Sequence, residues 1–262
     1  MKTSACSIAA ICLAALAWSH GQAESQPAGP PPPTLEVGVG FMRTPGWLGD
    51  NHEVNHGNVW ANAEYTTRSW GRFQYNGGSL TTDPSANWDP WVKGIASVGL
   101  MVGYHNLTLM GEGRNSRIPG NVQGLDAGIQ VVASIFGAPL FVQARKGFAQ
   151  DQGTMMVVGS YLPVNPAKEL TIAFIPTARR LDQKQSRLLF DSPASMGSQQ
   201  PFVAGPGWQD LALEIVVDWA FEKQWHWVSS GCERWLRGDA ARTPLTTETR
   251  GPGFATGVSY HF

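Results

Sequence analysis

The side chains able to do chemistry in this sequence are few, and their spacing limits what they can do. His52 and His56 lie four residues apart beside Asp50 and Glu53, a donor set that would suit a metal ion. They fall in a loop, which does not hold i,i+4 geometry as a helix does, so a solvated polar loop is the simpler reading. Ser97 with His105, and Ser259 with His261, are the pairs a lumen-rim acyl hydrolase would use. Each reads more simply as turn or interior polar residues. There is no G-x-S-x-G, no H-E-x-x-H and no Cys/His metal spacing. Cys232 has no second cysteine near it and reads as a quiet buried thiol. The residues therefore imply no catalysis, no cofactor and no metal.

The elements that carry these residues alternate with period two. Leu35, Val37, Val39 and Phe41 alternate with Glu36, Gly38 and Gly40. Leu125, Ala127, Ile129, Val131 and Ala133 alternate with Asp126, Gly128 and Gln130, and Leu211, Leu213, Ile215 and Val217 with Asp210, Glu214 and Val216. Successive side chains of a strand point to opposite faces, so each strand has one apolar face. The runs are about ten residues long, the length a tilted strand needs to cross a bilayer and longer than the usual ~5–6 of soluble strands.

About twelve strands are predicted: 34–43, 57–66, 69–78, 94–104, 107–114, 124–136, 139–148, 153–162, 168–178, 209–221, 225–236 and 251–262. The connections between them alternate in kind. Short turns are expected at 67–68, 105–106, 137–138, 163–167 and 222–224, and mostly longer loops at 45–56, 79–93, 115–123, 149–152, 179–208 and 237–250. Outer-membrane barrels have this asymmetry, with short periplasmic turns and long outer loops. The expected fold is all-β, a transmembrane antiparallel up-and-down barrel, in which closure leaves no unpaired edge in the lipid. An even strand number puts both termini in the periplasm. Trp70, Trp219, Trp225, Trp227 and Trp235 sit near predicted strand ends, where aromatic girdles belong.

The N-terminal residues fit this address. Lys2, an apolar run from Ala5 to Trp18 and Gly21-Gln22-Ala23 read as a signal peptide, 1–23, cleaved after Ala23. Cys6 and Cys12 leave with it, so no intrachain disulfide staples the rest. Residues 24–33, ending in four prolines, read as an extended periplasmic linker before a barrel over 34–262. Charge is balanced, 19 Lys+Arg against 20 Asp+Glu, with no basic stripe, which excludes a nucleic-acid binder. Charged residues are 15% of the chain, few enough for an apolar outer wall.

The inward face is expected to carry Glu36, Glu64, Arg72, Glu112, Arg114, Asp126, Arg145, Glu214 and Asp218. Opposite charges facing a narrow lumen either pair and fill it or line a polar channel. The chain closes with Val258, Tyr260 and Phe262 at alternate positions, similar to the C-terminal signal read by the outer-membrane assembly machinery.

Several stretches of the last third are similar to one family. Leu189-Phe190-Asp191 followed by Pro193-Ala194, then Phe202 to Gly207, then the hairpin from Asp210 to Trp225, match its pattern. Leu236, Gly238, Asp239, Ala240, Ala241 and Pro244 fall on its Gly-Asp-Ala-Ala motif, with Arg242 where the family usually has an acidic residue. The sequence thus resembles the MipA/OmpV outer-membrane proteins. The resemblance implies a non-enzymatic barrel that acts as a scaffold, holding a murein-degrading lytic transglycosylase near a murein synthase. A small-solute channel is the alternative.

Overall fold

The computed structural model describes residues 34–43, 58–67, 71–76, 85–93, 96–107, 122–135, 138–148, 152–192, 200–246 and 248–262. The predicted signal peptide, the proline-rich linker, Trp70, and the loop histidines 52 and 56 lie outside them.

The strands are β1 (Thr34–Arg43), β2 (Asn58–Thr67), β3 (Gly71–Asn76), β4 (Ser85–Lys93), β5 (Ala96–Leu107), β6 (Val122–Ile135) and β7 (Ala138–Gly147). They continue as β8 (Thr154–Ser160), β9 (Leu162–Ala167), β10 (Leu170–Leu181), β11 (Gly207–Ala220), β12 (Trp225–Leu236) and β13 (Arg250–His261). One helix, α1 (Gln183–Phe190), stands between β10 and β11. Every strand pairs antiparallel with its sequence neighbours except at Tyr161, where β8 and β9 pair successive halves of β10. β8 and β9 are thus one bent strand, which makes twelve staves. β1 pairs β13 from Glu36↔His261 to Arg43↔Phe254, and this seam closes the cylinder. Closure satisfies each strand's backbone within the wall, as lipid requires. No helix among the described residues is long and apolar enough to cross a membrane, so the crossing falls to strands.

The alternation read from the sequence becomes the two faces of the wall. Val39, Leu100 and Ile129 each keep 50% or more of their surface exposed in mid-strand, while Asp126, Gln130 and Ser97 on the other face are buried. An apolar belt of this extent around a whole cylinder is stable only against hydrocarbon. At the short-turn end it is rimmed by aromatic contacts. Trp225 meets Tyr260 edge-on at 4.9 Å, and Tyr260 meets Phe262 at 4.6 Å.

Two strand boundaries differ from the sequence expectation. The expected loop 79–93 contains β4, hidden by Asn87, Asp89 and Pro90. Proline removes a ladder donor and reads as a breaker, but the β4–β5 register shifts between Trp88 and Trp91, and Pro90 sits in that irregularity. Conversely, His105 and Asn106 are not a turn. β5 runs through them, paired to Gly124 and Gln123, up to Leu107. The rest of the expected strand 107–114, with Glu112 and Arg114, lies outside the described residues. The two errors cancel in number, so the alternation of short and long connections survives. A third correction is local: 163–167 is strand β9, and the turn is at Lys168 and Glu169.

Candidate functional site

The barrel interior divides along its axis. Near the long-loop end, a cap of chain fills part of the lumen. Asp182 starts α1 by accepting from the Gln185 backbone N–H at 2.8 Å, and its other oxygen accepts from the Thr154 N–H at 2.7 Å. The helix buries Leu189 and Phe190 against Met155 and Val157 of β8, Leu181 of β10 and Leu236 of β12. The loop after β12 locks over it. Thr243 Oγ1 donates to the Phe190 carbonyl at 2.8 Å, and the Ala240 N–H donates to Gln209 Oε1 at 2.9 Å.

The family-motif residues build this lock. Asp239 Oδ2 accepts from the Gly205 N–H at 2.5 Å, and its backbone carbonyl accepts from the Arg242 and Thr243 N–H groups. Gly238 holds φ +54, a left-handed conformation that favours glycine, and an added Cβ would stand 2.8 Å from the Trp208 carbonyl. Ala240 is fully buried, Leu236 nearly so, Ala241 packs against the same cluster and Pro244 is exposed. Arg242 pairs with Asp239 three residues before it. A second apolar group, Met42, Trp60 and Cys232, occupies the lumen beneath the same end.

Several charged residues of the inner face are paired. Arg145 on β7 donates through Nε and Nη2 to both oxygens of Asp126 on β6, at 2.7 and 2.9 Å, with the two side chains 2% and 0% exposed. Gly103 of β5 leaves the room: a Cβ there would stand 1.6 Å from Arg145 Nη2. Arg72 Nη2 donates to Asp89 at 2.6 Å, and Arg179 Nε lies 3.6 Å from Asp210. At the short-turn end, His226 and His261 stack with centroids 3.9 Å apart. His226 Nδ1 lies 2.7 Å from Asp218, and His261 Nε2 lies 3.7 Å from Glu36. The sequence reading named both carboxylates and took His261, with Ser259, as turn or interior polar residues; it missed His226, although alternation with Trp225 and Trp227 puts that ring on the inner face.

Between these layers lies a cavity of about 650 Å³. Glu36, Glu64, Arg72 and Glu214 line it; Asp126, Arg145 and Asp218 are engaged in the pairs above. Glu36 and Glu64 face each other directly across the β1–β2 ladder.

The Ser/His pairs do not assemble a catalytic site. Ser97 and His105 lie eight residues apart along β5, roughly 26 Å of extended strand. Ser259 Oγ is 3.4 Å from His261 Nε2, but Ser259 is fully buried and offers no face to a substrate. Cys232 forms no disulfide and is buried, and no metal-holding group of side chains occurs among the described residues. Val258, Tyr260 and Phe262 follow one another on the outer face of the closing strand, and the Phe262 N–H donates to the Leu35 carbonyl at 2.9 Å.

Comparison with known proteins gives one family and a set of barrels. The family model described as "MltA-interacting protein MipA" matches residues 37–262. No curated protein matches the chain. Among solved structures, the NanC porin is similar with TM-score 0.47 at 9% identity, over 86% of this chain and 98% of that one. The outer membrane channel DcaP of Acinetobacter baumannii aligns with TM-score 0.37 at 9% identity, over 88% and 96% of the two chains. The translocator domain of the autotransporter NalP from Neisseria meningitidis aligns with TM-score 0.37 at 11% identity, over 98% of each.

Proposed function

The chain belongs to the MipA family, and from that membership and the geometry of its interior we propose that it is a non-enzymatic scaffold of the outer membrane. In this reading the short turns and both termini face the periplasm, and the long loops with their cap face outward. The scaffold offers its periplasmic end to a murein lytic transglycosylase, the kind of partner the family's name points to, and through it to a murein synthase.

The observation that carries the reading is the cap. Across the path a solute would take, α1, residues 200–206 and the loop 237–246 are tied into the lumen mouth by at least four hydrogen bonds and an apolar cluster. Buried ion pairs occupy further cross-section below it. Filling of this kind stiffens a wall and suits a platform. The polar turn Glu222-Lys223-Gln224 between β11 and β12, exposed throughout, is the natural docking edge.

The test is affinity capture from crosslinked envelopes with the turns at 168–169 and 221–224 replaced by Gly/Ser. Wild type should retain a murein lytic transglycosylase and the turn variants should lose it. Failure of wild type to retain any murein enzyme would refute the scaffold. The second reading, a small-solute channel, is favoured by the polar-lined cavity in mid-barrel. It is separated by planar-bilayer recording, where discrete openings altered by Glu214→Gln would support it and silence would support the filled lumen.

A further inference from the structure

We propose that the mid-barrel cavity is a binding site for a compact amphipathic amine, a molecule with one ammonium group and one apolar or aromatic body. The proposal is independent of the scaffold reading, since it concerns the lumen and not the periplasmic turns.

The first ground is an acidic pair with no structural reason of its own. Glu36 and Glu64 are direct partners in the β1–β2 ladder, on the same inner face, and both line the cavity. Like charges directly opposite one another destabilise a sheet. Among the described residues the one guanidinium that lines the cavity, Arg72, is bound through Nε and Nη2 to Asp89 at 3.0 and 2.6 Å and is turned to that partner. Glu64 takes a hydrogen bond from Gln74 Nε2 at 2.5 Å, and Glu36 has His261 Nε2 at 3.7 Å, a charge present only when the ring is protonated. A bound ammonium between the two carboxylates would relieve their repulsion and satisfy their remaining lone pairs.

The second ground is a set of unused acceptors. Gln143 is 9% exposed and lines the cavity; its Nε2 donates to Gln130 at 2.8 Å, and its Oε1 has no hydrogen-bond partner. The Oδ1 atoms of Asn62 and Asn87, on the cavity wall, are buried and unpartnered as well. Buried polar atoms normally find partners, and each left unmade is costly. All three atoms are acceptors, so a ligand bearing N–H donors suits this wall better than an anion does.

The third ground is the opposite wall. Val132, Phe141, Ile175 and Val216, from β6, β7, β10 and β11, give the cavity an apolar surface beside Gln130, Gln143 and Glu214 of the same strands, across from the carboxylates and amides of β1–β4. A hydrated metal ion would leave that wall wet and idle. A volume of about 650 Å³ suits a small organic molecule, and such sites pair an apolar lining with a few placed polar groups.

The experiment uses the full barrel, refolded in detergent, with titration calorimetry against three probes of one shape: phenethylamine, phenethyl alcohol and phenylpropionate. The amine should bind about tenfold or more tighter than the alcohol, and the carboxylate weakest, because a charge-assisted contact to a carboxylate exceeds a neutral one. Glu36→Gln with Glu64→Gln should erase the amine's advantage and bring its affinity down to about that of the alcohol. Heat-shifted migration of the double variant confirms that it folds. Equal binding of amine and alcohol by wild type would overturn the proposal, as would an unchanged preference in the double variant or no heat from any probe at millimolar concentration.

Discussion

The Arg145–Asp126 pair gives the sharpest test of how the interior is held. Arg145→Met removes both N–H donors from a carboxylate that is completely buried, and Asp126→Leu leaves a guanidinium 2% exposed. Removing one partner of a buried pair costs about 3–5 kcal/mol, since the other charge stays dehydrated and has lost its counter-charge. Against a total stability of about 5–15 kcal/mol that is a large loss, over a hundredfold in the folding equilibrium. Replacing both partners by apolar side chains removes both charges at once and is often close to neutral. The double variant should therefore be more stable than either single one. Gly103→Ala should imitate the single variants, because its methyl would stand 1.6 Å from Arg145 Nη2 and push the guanidinium off its partner. The assay is urea unfolding in lipid vesicles, followed by the shift in gel mobility between unboiled and boiled protein. Losses that simply add in the double variant would refute the reasoning, because they would mean the two side chains do not depend on each other.

Ile215→Arg should sharply reduce folded protein, at about 2–4 kcal/mol for a cation in the lipid belt, while Val216→Gln on the cavity wall assembles normally; equal yields in outer-membrane fractions would mean the face is assigned wrongly. Asp239→Ala should expose the loop 237–249 to protease, since it strands the Gly205 N–H at about 1–3 kcal/mol, yet leave the mobility shift of the barrel intact. Deleting Tyr260 to Phe262 should leave export unchanged and lower the outer-membrane yield, and normal assembly of the shortened chain would remove the proposed role of the closing residues.

What the sequence made legible is what period two encodes. Along β1, β6 and β11 the alternation of Val, Ile and Leu with acidic and small residues is strict, so the faces of these strands follow from the order of residues alone. β4 was hidden because its inner face is Ser85, Asn87 and Asp89 and its outer face is interrupted by Pro90, so neither face forms an apolar run. The bend at Tyr161 was hidden because β8 and β9 read as a strand and a turn, and only pairing to a common partner, β10, joins them. The carboxylates and arginines of the interior could be named, but who pairs with whom depends on register: Asp126 meets Arg145 only because β6 and β7 align Asp126 with Gly147. The motif around Asp239 was visible as a resemblance. Its work, locking α1 over the lumen, rests on contacts spanning from 31 to 53 residues, which no local pattern announces.

The scaffold reading is tested most directly by photo-crosslinking in living cells, with a photoreactive residue placed at Lys223 in the short turn after β11 or at Arg242 in the capping loop. Both positions are exposed, so each reports its own side of the membrane. The account predicts an adduct with a murein lytic transglycosylase from position 223 and none from position 242. An adduct from 242, or only self-crosslinks from 223, would contradict it.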